Sequence, residues 1–95
     1  MLPIHPGRIL KRELAARDLA ANRFALDLKV PSGRITDILN GKRGISAESA
    51  LRFARYFGTS ARFWLNLQTA FELAVAENEI GARIMEEVKP APVAA

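Results

Sequence analysis

Apolar residues recur at helical spacing in five separate stretches of the chain, and the strict alternation of a half-buried strand is rare. The first stretch begins near Pro6, which suits a first helical turn because its missing N–H would be unpaired there. Ile9, Leu10 and Leu14 form its apolar side, and it ends near Arg17 and Asp18. A second helix is predicted over 21–28, burying Phe24, Ala25 and Leu28; Ala20 gives its start no side-chain acceptor. Lys29, Val30 and Pro31 break the pattern. The third helix begins at Pro31 or Ser32 and stops at Asn40 and Gly41, a C-terminal ending signal. Ser46 caps the fourth, with Glu48 favourably placed in its first turn and Gly58 after its end. Its buried side is expected to be Ala47, Ala50, Leu51, Ala54 and Phe57. Thr59 or Ser60 caps the fifth, which runs to about Glu77 or further. The pattern predicts an all-α, five-helix domain over residues 1–76. A C-terminal helical extension and a non-periodic, frayed tail take up 77–95.

The fifth helix carries more apolar surface than one small core needs. Trp64, Leu67, Phe71, Ala74 and Val75 fall in one arc, whereas Leu65, Leu73 and Ala76 fall on another side, joined by Thr69. Five short helices cannot cover both, so Leu65, Thr69, Leu73 and Ala76 are expected to form a homodimer interface.

The second and third helices, separated by a three-residue break, have helix–turn–helix spacing. At ~100° per residue, Ile35, Ile38 and Leu39 share one side of the third helix and must face the core. Gly33, Asp37 and Asn40 then point away, flanked by Arg34 and Thr36. This outer face is narrow and mostly small, which suits a DNA major groove ~12 Å wide. Gly33 lets the backbone come close. Arg34 can pair bidentately with guanine, Thr36 can touch a thymine methyl, and Asn40 can pair with adenine or a phosphate. Asp37 can accept from a cytosine amino group or hold Arg34 in one rotamer. Lys42 and Arg43 follow at a turn, within reach of phosphates.

Charge sharpens this picture. The net charge is +4, but residues 1–62 hold twelve Lys/Arg against five Asp/Glu, and residues 63–95 hold two against five. A basic body with an acidic C-terminal third points to a polyanion on one side. The chain has no cysteine and one histidine, which excludes disulfides and His- or Cys-cluster metal sites, so no cofactor is expected. No apolar run approaches the ~18 residues of a membrane span, and the charged N-terminal stretch lacks the apolar core of an export signal. A cytoplasmic protein is expected. No nucleophile–base pair or paired carboxylates suggest an enzyme, and His5 beside Pro6 reads as a structural residue at a helix start.

HPGRIL over residues 5–10 and RITDILNGKRGISAESALRFARYFGTSARFWLNLQ over 34–68 resemble the HigA-type antitoxins, within the Cro/lambda-repressor-like helix–turn–helix class. The resemblance covers roughly residues 4–76. It implies a dimeric, non-enzymatic protein that binds a palindromic double-stranded DNA operator in its own promoter. It also implies a partner, a small RelE-like mRNA-cleaving toxin that the protein neutralises. By family position Ser32, Gly33, Arg34 and Thr36 meet bases, and Lys42 and Arg43 match the basic turn. Three departures stand out. Ala20 and Ala21 replace a Ser-Gln pair that caps the second helix and touches a phosphate, a contact that Asn22 or Arg23 can take over. Lys29 replaces a turn glycine and adds a cation near the DNA. Pro31 replaces a Ser/Thr cap. Two other readings are a module that mainly blocks a toxin, suggested by the outward-pointing Leu26, and an orphan transcription regulator without a toxin.

Overall fold

His5 opens the first helix. Its Nδ1 accepts the Gly7 N–H at 2.9 Å, so an imidazole does the work usually left to a serine or aspartate. The computed structural model describes residues 2–93, and from this cap α1 (Pro6–Ala16) runs to a close at Arg17. It is followed by α2 (Ala21–Leu28), α3 (Ser32–Leu39), α4 (Ala47–Phe57) and α5 (Ala61–Glu87). The expected all-α order of five helices is the observed one. Among the described residues no helix is long and apolar enough to cross a membrane.

The caps explain most of the boundaries. Ser46 accepts the Ser49 N–H at 3.1 Å, and Ser60 accepts the Phe63 N–H at 3.1 Å. Gly58 ends α4 in the left-handed conformation, at φ 74. α2 and α3 start at Ala20 and Pro31 without a side-chain cap, as expected from those residues.

The core lies where α1, α2, α3 and α4 close on the first half of α5. Leu10, Phe24, Ile35, Ile38, Phe53 and Trp64 are fully buried. Trp64 packs edge-on against Phe53, with ring centroids 5.3 Å apart, and its Nε1–H donates to Thr59 Oγ1 at 2.9 Å, so its one polar atom is satisfied. Arg17 covers the outer edge of this cluster, 4.9 Å from the Phe57 ring centroid.

The buried side of α4 differs from expectation. Ala50 and Phe53 are buried and Phe57 half-buried, whereas Leu51 is 64% exposed and Ala47 is exposed. Burying Phe53, between Phe24 and Trp64, as well as Phe57 rotates the face by about a fifth of a turn and carries Leu51 out. α5 runs on through the expected helical extension. Ala74 is its last buried residue, yet the helix continues unbroken to Glu87 and gives the molecule its 56 Å long axis. The division at 76/77 therefore marks the end of packing, not the end of a helix. Residues 88–93 are exposed and non-helical. The expectations for Met1 and for tail residues 94–95 lie outside the described residues.

Candidate nucleic-acid interface

Both helices of the central unit end in the same backbone motif. At the end of α3, Lys42 N–H reaches the Asp37 carbonyl at 2.8 Å and Gly41 N–H reaches Ile38 at 3.1 Å, with Gly41 at φ 75. At the end of α2, Val30 N–H reaches Ala25 at 3.1 Å and Lys29 N–H reaches Leu26 at 3.2 Å. This paired closure needs a left-handed residue, normally glycine. Lys29 fills it at φ 63, ψ 41. A left-handed β-carbon costs roughly 1–2 kcal/mol. Lys29→Gly is therefore expected to raise stability by about 1 kcal/mol, or about 5 °C in melting temperature for a domain of this size. Thermal melting checks this, and a variant that melts lower would contradict it.

The outer face of α3 matches the angular reading. Ile35 and Ile38 are buried and Leu39 half-buried, while Ser32, Gly33, Thr36 and Asn40 are exposed together. A β-carbon on Gly33 would meet nothing within 4 Å. Thr36 Oγ1 donates to the Ser32 carbonyl at 3.0 Å, so its hydroxyl hydrogen is committed to the helix and its methyl and lone pairs remain available.

Arg34 behaves differently. Its side chain is only 22% exposed, and its Nη1 lies 3.4 Å from Glu48 Oε1 on α4. The expected hold of Asp37 on Arg34 is absent. Asp37 instead faces Arg43 across the turn at 3.9 Å, because the motif that ends α3 folds the basic turn back over it. Of the four candidate phosphate contacts, Arg43 is thus partly neutralised, and Arg23 pairs with Asp27 at 3.2 Å. Lys29 and Lys42 are exposed and have no ion-pair partner among the described residues.

Sequence reasoning missed the groups that set this surface. Arg52 donates to the Leu28 carbonyl at 2.8 Å, tying α4 to the end of α2, and grips Glu48 Oε2 through Nε and Nη2, both at 3.1 Å. The hydrogen bonds from Arg52 and the charge of Arg34 hold the Glu48 carboxyl below its ordinary value of 4.5. A depressed carboxyl stabilises the fold above its unfolded value and loses that contribution as pH falls through its lowered folded value. The contacts of Glu48 are thus in place at neutral pH. Gln68 on α5 is the other missed group. Its Oε1 accepts the Ile45 N–H at 2.8 Å and its Nε2 donates to Glu72 at 2.9 Å, so the long helix anchors the basic turn. In sequence Glu48 reads only as a favourable first-turn charge, and nothing in the periodicity singles out Gln68.

On the far side of α5, Thr69, Leu73 and Ala76 are exposed, Leu73 by 57%. Leu65, grouped with them in sequence, is half-buried and packs against the core.

Solved structures share this fold over nearly the whole chain. An addiction-module antidote protein of the HigA family from Coxiella burnetii is 49% identical and superposes with a TM-score of 0.94, covering 96% of this chain and 100% of that one. The chain belongs to the HigA family. A Pseudomonas aeruginosa antitoxin HigA, solved with the higBA promoter, is 44% identical at a TM-score of 0.92, covering 96% of this chain and all of that one. Virulence-associated protein I of Dichelobacter nodosus is 48% identical over 80 residues, 83% of this chain and 74% of its own length. No protein-family model matches the chain. As a HigA-family member it is an antitoxin-like helix–turn–helix transcription regulator and not an enzyme.

Proposed function

We propose that this HigA-family regulator is the antitoxin of a type II toxin–antitoxin pair, repressing its own operon and neutralising a RelE-like, mRNA-cleaving toxin. The observation that carries the DNA half is the outer face of α3, where Ser32, Gly33, Thr36 and Asn40 stand exposed around open space beside the exposed Lys42. The promoter-bound P. aeruginosa relative supports the same reading. In the proposed complex, a dimer of this chain presents two α3 helices about one DNA turn apart, ~34 Å, to a palindromic operator. Thr69, Leu73 and Ala76 supply the two-fold contact, with Leu65 beneath them. Arg34, Thr36 and Asn40 choose the sequence, and Lys29, Lys42, Arg43 and Arg23 bind phosphates.

A gel shift with the DNA upstream of the chain's own gene, with and without the adjacent gene product, tests both halves. Retarded promoter DNA together with co-purification of a small basic partner is the expected result. DNA binding without such a partner leaves an orphan regulator, and absence of promoter binding removes the repressor role. Lys42→Ala is expected to weaken operator and unrelated duplexes by the same factor and to lower the slope of log affinity against log salt by about 0.9. A loss confined to the operator would show that Lys42 reads sequence instead.

A further inference from the structure

An ion network centred on Glu48 ties Arg34, on the reading helix, to α4. Arg34 Nη1 is fully buried and makes no hydrogen bond among the described residues; the Glu48 carboxylate stands 3.4 Å from it. Arg52 fixes that carboxylate and is itself fixed on the Leu28 carbonyl, so α3, α4 and the end of α2 meet at Glu48. Such an arrangement is a poor device for stability. Glu48 is 56% exposed, and exposed ion pairs contribute little against the side-chain entropy they consume. A buried guanidinium nitrogen without a hydrogen bond is itself unfavourable. What the network does supply is a fixed direction for a long and otherwise mobile side chain. With Nη1 turned inward, the donors left on the guanidinium are Nε and Nη2, an adjacent pair with the fork spacing that matches O6 and N7 of guanine.

We infer that Glu48, which need not touch DNA, is the residue that makes Arg34 select guanine: it is a positioning residue for base reading. The inference rests on the DNA-reading function proposed above. It opposes the simplest electrostatic expectation. Glu48 is a negative charge beside a DNA-facing helix. If it did nothing else, removing it would tighten binding to every duplex alike. If it positions Arg34, removing it loosens one base choice and leaves unrelated DNA bound as well as before or slightly better.

Selection of binding sites from a randomised duplex library separates the two. Wild type, Glu48→Gln, Arg34→Ala and the double variant are each taken through selection. Their affinities are then compared on the wild-type-selected duplex and on a scrambled duplex at one salt concentration. Wild type is expected to enrich a motif with guanine at one position in each half-site. Glu48→Gln should lose preference at the position that Arg34→Ala loses, with discrimination there falling about tenfold. The double variant should show no further loss, as for two residues acting through one contact. The exposed, isosteric Glu48→Gln change leaves the fold intact, and Glu48→Ala provides a second variant with the same expected loss. A wild-type motif retained at that position by both Glu48 variants would overturn the inference, whether or not overall affinity rises. Failure of the wild-type protein to enrich any motif would overturn the DNA-reading function itself, a result visible before any variant is compared.

Discussion

Gly33→Leu is expected to leave the protein folded, slightly more stable than wild type, and at least 100-fold weaker on its operator. The stability half follows from the empty surroundings of Gly33: no atom would meet a new β-carbon. Glycine in a helix is about 1 kcal/mol less favourable than alanine or leucine. The substitution relieves part of that cost, and the melting temperature should rise by a few degrees. The binding half follows from the groove. A helix with its side chains is about 10–12 Å across and the major groove ~12 Å wide, so there is little clearance. A four-carbon side chain at the proposed point of closest approach holds α3 away from the base edges, and Arg34, Thr36 and Asn40 lose their proposed contacts together. Each good base contact accounts for about 1–3 kcal/mol, so two of them already exceed a 100-fold loss. Non-specific affinity through Lys29 and Lys42 should survive in part, because their proposed phosphate contacts are made from the turns and not from the face of α3. Thermal melting and fluorescence anisotropy on operator and scrambled duplexes measure both halves. Operator affinity within a few-fold of wild type would refute the close approach assigned to this face.

The boundaries of this fold were legible because most are written in local chemistry. Ser46, Ser60 and Gly58 mark ends through hydrogen bonds and backbone conformations that involve only their neighbours. The outer face of α3 was legible for a related reason: Ile35 and Ile38 fix which side is in, and the helical repeat fixes the rest. What failed were statements that needed to know what lies opposite. The rotation of α4 is decided by Phe53 finding Phe24 and Trp64 in a core that no local window contains. The side-chain direction of Arg34 is decided by Glu48, fourteen residues on, once α4 has docked. Asp37, three residues from Arg34 and the obvious local partner, is drawn off by Arg43. The continuation of α5 past Glu77 is legible for a local reason. Nothing between Glu77 and Glu87 stops a helix except Gly81, which lowers propensity without preventing continuation, and the first strong breaker is Pro90.

Gly7→Ala should have the opposite effect from the change at Gly33 and the largest effect on stability. Both positions are helical glycines, and helix propensity alone predicts a gain of about 1 kcal/mol at each. At Gly7 a β-carbon would run into the carbonyl oxygen of Ile38, on the last turn of α3, and would come within 3.0 Å of His5 Nδ1. The obstacle is backbone, so no rotamer change relieves it. The Ile38 carbonyl also accepts the Gly41 N–H that ends α3, so displacing it disturbs the helix stop as well as the helix. Overpacking of this kind typically costs 1–3 kcal/mol and more where backbone must move, so a net loss of about 3 kcal/mol is expected. A 95-residue domain has only about 5–14 kcal/mol in total. The melting temperature should then fall by about 15 °C, compared at equal protomer concentration because self-association would raise both values. Operator binding should weaken even at temperatures where the variant stays folded. α1 would have to move away from α3, and α3 carries Thr36 and Asn40 with it. A variant that melts at or above wild type would mean that α1 and α3 do not approach through Gly7, and the orientation of the reading face would then have to come from α2 and α4 alone.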